Sequence, residues 1–237
     1  YKRQVLDRLG RTTRRDLAGT RAVVSAGGTR EPLDPVRFLT NRSSGKQGHA
    51  IAIAAARRGA TVTLVTSSPL ALPSDVRLTR VDVETAADME EAMGAAADGA
   101  DVVVMAAAVA DFRPKATAGT KLSKEDGIPE LVLEPTPDIL AELARRGAPG
   151  QVIVGFAAET HDALERGRRK LERKGVDLLV VNDVSAPGAG FDHDTNAVVI
   201  LGVDGNATEI ALTSKDAVAN ALLDMVIDHL NEKRSRT

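Results

Sequence analysis

The sequence predicts an α/β fold: a Rossmann-like, mostly parallel sheet with helices on both faces, plus an irregular or antiparallel flap and a C-terminal β-hairpin. Three observations carry that expectation. Short β-branched runs alternate with alanine-rich or amphipathic segments at helical spacing, and glycines mark many of the junctions. Alternation on this scale implies parallel strands covered on both sides. Near the end, two runs at 197–201 and 208–212 flank Asp204-Gly205-Asn206, which reads as a hairpin turn.

In chain order, residues 1–20 hold a local excess of Lys and Arg with weak periodicity and read as a basic linker or tail before one domain over 21–237. Residues 23–26 form the first buried strand, which breaks at Gly27-Gly28 and enters a long loop. An alanine-rich helix at 50–58 follows and stops at Gly59; strands are expected at 61–66 and 78–83. In the helix at 85–98 Thr85 can cap, while Met89, Ala92, Met93 and Ala96 share one core-facing side. After a strand at 101–108, Pro114, Gly119, Gly127 and Pro129 break the rhythm and predict a flap at about 112–135. A helix at 137–146, a strand at 151–157, a helix at 162–174, a strand at 176–181 and the hairpin then lead to a closing helix at 214–232. That last helix buries Val218, Leu222, Met225, Val226 and Leu230.

Composition narrows the function. With 43% apolar and 2% aromatic residues, the core must be aliphatic. A net charge of -2 offers no basic excess for a general nucleic-acid binder. The absence of cysteine excludes disulfides, thiolate metal sites and a cysteine nucleophile. No run approaches the ~18 apolar residues of a membrane span and no signal peptide is visible, so a cytoplasmic location is expected. The chain opens on Tyr1 rather than Met, which suggests a piece of something longer.

In such sheets ligands lie beyond the carboxyl ends of the strands, which singles out the loops after Ala26, Ala108, Ala157 and Val181. Gly45 and Gly48 sit where a helix starts, so a phosphate can approach free N–H groups there. The Walker pattern fails because Thr40 stands in place of its first Gly and Gln47 in place of its Ser or Thr. The dinucleotide fingerprint fails on spacing, and the second strand ends in Thr66-Ser67-Ser68 without an acid for the ribose. An NADPH-dependent Rossmann-type reductase stays open as the alternative. Asp111 comes directly off a buried strand and reads either as a ribose acceptor, with small alanines beside it for a flat base, or as a turn aspartate. Lys121 and Lys124 lie in the flap, where a cation can close over phosphates. Thr136 can cap the next helix with Pro137 as its first residue, leaving the N–H groups of residues 138–140 for an anion. Arg166, Lys170 and Lys174 recur every four residues along one helix side, a phosphate stripe or a solvated one. Of Phe38, Phe112, Phe156 and Phe191, at least one is a candidate to face a ligand, and His49, His161, His193 and His229 show no ligand spacing. Chemistry by positioning and charge is therefore expected, with the metal ligands unknown.

Five ordered motifs now resemble a known family: Ser25-Ala26-Gly27-Gly28-Thr29-Arg30-Glu31-Pro32, Asn41-Arg42-Ser43-Ser44-Gly45-Lys46-Gln47-Gly48, Ala107-Ala108-Val109-Ala110-Asp111, Gly155-Phe156-Ala157-Ala158-Glu159-Thr160 and Val181-Asn182-Asp183. They are similar to the bacterial phosphopantothenoylcysteine synthetases, the phosphopantothenate-cysteine ligases of coenzyme A biosynthesis. The resemblance implies a ligase that joins 4'-phosphopantothenate to L-cysteine through an acyl-cytidylate. It consumes CTP with Mg2+ and releases pyrophosphate and CMP. The ligase is often the C-terminal half of a chain whose N-terminal half is a flavin-dependent decarboxylase, and it is a homodimer through the flap region. By resemblance, Asn41 handles the acyl-cytidylate, Arg37 supports it, and Lys121 is the flap lysine that forms the intermediate. Ala107, Ala108, Asp111, Lys121, Pro137, Asp138, Ile139, Leu140, Phe156, Lys170 and Lys174 match CTP positions, and Gly45 and Gly48 the phosphate turn.

Overall fold

The computed structural model describes residues 14–127, 129–159, 162–183 and 193–235. The chain runs β1 (Arg21–Ala26), β2 (Arg30–Pro32), β3 (Phe38–Thr40), α1 (Lys46–Arg57), β4 (Thr61–Thr66), β5 (Thr79–Asp82), α2 (Ala86–Ala97) and β6 (Val102–Met105). It continues through β7 (Phe112–Pro114), β8 (Leu133–Pro135), α3 (Ile139–Arg146), β9 (Val152–Glu159), α4 (Ala163–Lys174) and β10 (Leu178–Asp183) to β11 (Thr195–Gly202), β12 (Ala207–Ser214) and α5 (Lys215–Ser235).

Eight strands form one sheet in the order β12-β11-β10-β9-β6-β1-β4-β5. The six from β5 to β10 are parallel, and β11 and β12 add an antiparallel hairpin at one edge. The expected parallel sheet and terminal hairpin are thus present. Alternation along each strand feeds two cores: Val24, Leu64, Val104, Val154 and Val180 meet α1 and α5 through Ile51 and Leu222. Their neighbours Val23, Val65, Val103, Ile153 and Leu179 meet α2, α3 and α4 through Met89, Met93, Leu143 and Leu171. From β1 the chain winds outward to β4 and β5, then crosses back to β6 and winds the other way. The crevice between the carboxyl ends of β1 and β6 is therefore a topological switch point, where open α/β sheets bind ligands.

Three boundaries differ from expectation. Helix α1 starts at Lys46, because Gly45 at φ 78 turns the chain into it without a side-chain cap, a start that leaves little local signal. Helix α3 starts at Ile139, and Asp138, not Thr136, caps it by accepting the Ala141 N–H at 3.2 Å. Pro137 disfavours helical backbone at Thr136, whose hydroxyl instead donates to the Ala110 carbonyl. The strand expected at 101–108 is β6 and ends at Met105, beyond which the chain peels away and keeps a single parallel bridge, Gly28 to Ala108. The loop after β1 also holds an unanticipated hairpin, β2 with β3. The Glu31 carboxylate on it is 2% exposed and accepts the Ala86 N–H at 2.9 Å, fastening the hairpin to the start of α2. The flap is an antiparallel pair, β7 with β8, around a short 3-10 turn at Lys124–Asp126.

One ion cluster ties both ends of the described chain to α1. The Arg58 guanidinium, its side chain 5% exposed, donates to Asp16 at 2.9 and 2.8 Å and to Asp224 at 2.7 Å. Removing both acids (Asp16→Asn with Asp224→Asn) strands a buried cation and is expected to cost about 3 kcal/mol or more. Arg58→Met removes the buried charge itself and should cost less, an order that urea denaturation of both variants checks.

Candidate active site

A cleft of about 570 Å³ lies over the carboxyl ends of β6, β9 and β10, beside the switch point. Asn41, Gly45 and Gly48 reach it from the approach to α1, and Ala107, Ala108 and Asp111 from the loop after β6. Pro137, Asp138, Ile139 and Leu140 enter from the start of α3, Phe156 from β9, and Lys170 and Lys174 from α4. A broader groove of about 860 Å³ between α2 and α3 is lined by Glu90, Glu91, Asp98, Glu142, Arg145 and Arg146. It lies away from the strand ends and gathers none of the motifs except the start of α3.

Each glycine at the turn has a packing reason. At Gly48 a Cβ would stand 2.6 Å from the Ala26 Cβ and from the Ser25 carbonyl, so α1 can lie on β1 only with glycine there. At Gly45, besides the positive φ, a Cβ would stand 2.6 Å from that of Ser68. Gly48 thus sets helix–strand contact, and its bearing on a phosphate is indirect: it brings the start of α1 to the cleft. His49 fixes the same turn, its ring Nδ1 3.0 Å from the Gly45 carbonyl. Burial pushes the His49 pKa down, so the ring is neutral, and the contact makes Nδ1–H the donor.

The Asn41 amide donates to the carbonyls of Val109 at 3.0 Å and Ala108 at 3.4 Å, spanning the mouth from the α1 approach to the β6 loop. That loop is held by Ala108 N–H to the Gly27 carbonyl at 2.8 Å and Ala110 N–H to the buried Thr29 hydroxyl at 2.9 Å. Asp111 is exposed at the rim, its own carbonyl accepting the Thr136 N–H at 3.0 Å. On the far wall Lys174 is ion-paired with Asp138. Burial pushes the Asp138 carboxyl up, but the Lys174 ammonium and the Ala141 N–H outweigh it and leave the pKa below its usual value. The start of α3 therefore presents a carboxylate beside the lysines.

Two expected site residues lie outside the cleft lining. Arg37 binds Asp34 and the Leu122 carbonyl, and Lys121 is exposed on the flap. Of the phenylalanines, Phe156 lines the cleft, Phe38 lies under the Arg30 guanidinium at 5.3 Å, and Phe112 is 56% exposed on the flap. Phe191 and His161 fall outside the described residues, as do the first 13 positions of the basic segment. Lys46, Gln47 and Asn182, which stand in the quoted motifs without an assigned role, also line the cleft, as do Asn196 and Lys215, which the sequence reading missed. Asn182 follows a strand end already singled out, but Asn196 and Lys215 begin β11 and α5 with no local signal. The carboxamide oxygens of Gln47, Asn182 and Asn196 are buried without a hydrogen-bond partner among the described residues. Among those residues no cluster of three or more His, Asp or Glu could hold a metal ion, and no helix is long and apolar enough to cross a membrane.

A family model for the DNA/pantothenate metabolism flavoprotein C-terminal domain matches residues 17–230. The coenzyme A biosynthesis bifunctional protein CoaBC of Bacillus subtilis is 46% identical over 211 residues, 89% of this chain and 52% of its own length. A cysteine/cysteine sulfinic acid decarboxylase of an unknown prokaryotic organism is 41% identical over 215 residues, 91% of this chain and 60% of its own. The chain thus spans only about half the length of these curated relatives. The crystal structure of the C-terminal domain of a CoaBC superposes with a TM-score of 0.78 at 38% identity, covering 92% of this chain and 99% of that one.

Proposed function

Because the chain belongs to the DNA/pantothenate metabolism flavoprotein C-terminal domain family, we propose that it is the ligase unit of coenzyme A biosynthesis, joining 4'-phosphopantothenate to L-cysteine with CTP. The observation that carries this reading is that thirteen of the fifteen positions matched to nucleotide and acyl handling, all but Lys121 and Arg37, come from separate segments to one cleft beside the switch point. The relatives give no support to a nicotinamide reductase, and β4 ends at Thr66 without a ribose acid.

In the first step a carboxylate oxygen of phosphopantothenate attacks the α-phosphorus of CTP, forming the acyl–phosphate bond as pyrophosphate leaves. In the second the cysteine amine attacks the acyl carbon and CMP departs with the bonding electrons, the amine proton passing to solvent. Both steps need alignment and charge neutralisation more than a nucleophilic side chain. Lys170 and Lys174 supply cations, the rim carboxylate of Asp111 accepts ribose hydroxyls, and Phe156 gives the base an apolar wall. Asn41 reaches the acyl group from the Val109 side. Mg2+ would neutralise the phosphates. The buried carboxamide oxygens of Asn182 and Asn196, without a partner among the described residues, would offer it hard neutral acceptors.

Val36, Phe38, Phe112, Val132 and Leu133 expose apolar surface on the two small hairpins. This supports a homodimer through the flap region, and the longer bifunctional relatives support fusion to an N-terminal flavin-dependent decarboxylase in the native chain. Coupled detection of pyrophosphate with phosphopantothenate and CTP, with ATP as comparison and with cysteine omitted or added, tests the function. No pyrophosphate from either nucleotide would overturn it. Replacing Lys170 and Lys174 together by alanine should weaken CTP binding by about tenfold or more, as for loss of charge-assisted bonds. An unaltered dissociation constant by calorimetry would return them to the solvated surface.

A further inference from the structure

We infer that Asp34 is a positioning residue, the buried carboxylate that pins the flap, and with it Lys121, to the β2–β3 turn. Its side chain is 0% exposed, yet it receives donors from three directions. One oxygen accepts the Val36 and Arg37 N–H groups, each at 2.8 Å. The other accepts Arg37 Nε at 2.9 Å, Arg37 Nη2 at 2.5 Å and, across the molecule, the Leu122 N–H at 3.1 Å. Arg37 Nη2 also donates to the Leu122 carbonyl at 2.6 Å. Both backbone polar groups of Leu122, the residue directly after Lys121, are therefore held by one ion pair.

The rest of the flap is thinly anchored. Thr117 and Ala118 bond the Pro32 and Leu33 carbonyls at 3.1 and 3.0 Å, while Leu131, Val132 and Leu133 are exposed. Pro114 is buried at the base of the flap, but beyond it the exposed apolar residues add no docking, and the polar clasp holds the segment around Leu122. A buried carboxylate is tolerated only when its acceptor sites are filled, as here. The Arg37 guanidinium holds the Asp34 carboxyl well below the usual carboxylate range, so the clasp stays charged at neutral pH. Asparagine could not replace it. Its amide would turn two N–H donors toward either the Arg37 and Leu122 donors or the Val36 and Arg37 amides. Arg37, assigned a supporting role by resemblance, acts in this geometry through Leu122.

The consequence for Lys121 rests on the ligase reading; the clasp itself does not. In the full-length protein, Asp34→Asn should raise hydrogen exchange at Leu122 by about tenfold or more while β1 and β6 stay protected. It should slow the pyrophosphate burst by about 10- to 100-fold, the scale of a misplaced catalytic group, with CTP affinity within about twofold of wild type. Combined with Lys121→Gln, its kinetic loss should be clearly less than additive, because both act on one group. A wild-type burst, additive losses, or exchange rising equally through the sheet with a matching fall in CTP affinity would each overturn the assignment. If Asp34→Asn does not fold, Leu122→Pro removes the N–H that Asp34 accepts, while also restricting the backbone at residues 121 and 122, and should give the same kinetic pattern. An unchanged burst there sinks the proposal. If wild type releases no pyrophosphate at all, the ligase reading fails, and exchange at Leu122 still decides whether Asp34 is the pin.

Discussion

Lys121→Gln is expected to slow cytidylate formation by about 100-fold or more, the scale of losing one charge-stabilising donor in the transition state. The effect should fall on the pyrophosphate burst rather than on CTP affinity. In the described structure Lys121 is exposed on the flap and does not line the cleft, so CTP affinity is expected to survive its loss. Its cation is expected to count in the chemical step, when charge is developing on the leaving pyrophosphate. Rapid-quench measurement of the burst separates these stages. A normal burst with weakened CTP binding would make Lys121 an ordinary phosphate ligand.

Asn41→Asp is expected to permit cytidylate formation and stall the transfer to cysteine, with loss of at least about 100-fold in CMP release, the scale of removing one oxyanion-type donor. The geometry gives the reason. The Asn41 Nδ2 group donates to the Val109 and Ala108 carbonyls, so a carboxylate there would face two acceptors and turn away. Its negative charge would also oppose the oxyanion that forms as the amine attacks the acyl carbon. The acyl-cytidylate should then accumulate and be isolable by chromatography. CMP release at the wild-type rate would remove Asn41 from the second step.

The strands of the sheet were legible because parallel strands buried on both faces must be nearly continuous apolar runs, and Val102–Met105 and Leu178–Asp183 are such runs. Helix α2 was legible from its cap: Thr85 and Asp88 form the reciprocal capping box of a local four-residue pattern. Where competing local signals met, the sequence reading went astray. Thr136 and Asp138 are both good caps, and the proline between them decided for the second. At Gly45 and Gly48, read as room for a phosphate, the tertiary structure adds a packing demand for glycine, through contacts with Ser68, Ala26 and the Ser25 carbonyl.

The sequence by itself determined the fold class, the family resemblance and the segments that meet at the cleft, because these depend on local periodicity and on motifs read along the chain. Only the tertiary structure decided that Asn196 and Lys215 complete the cleft wall, that Lys121 stands outside it, and that Asp34 holds Leu122. Those facts depend on pairs more than 80 residues apart, such as Asp34 with Leu122 at a separation of 88. No local pattern encodes such a pair, since a buried carboxylate is stable only where the folded chain happens to bring enough donors to one point.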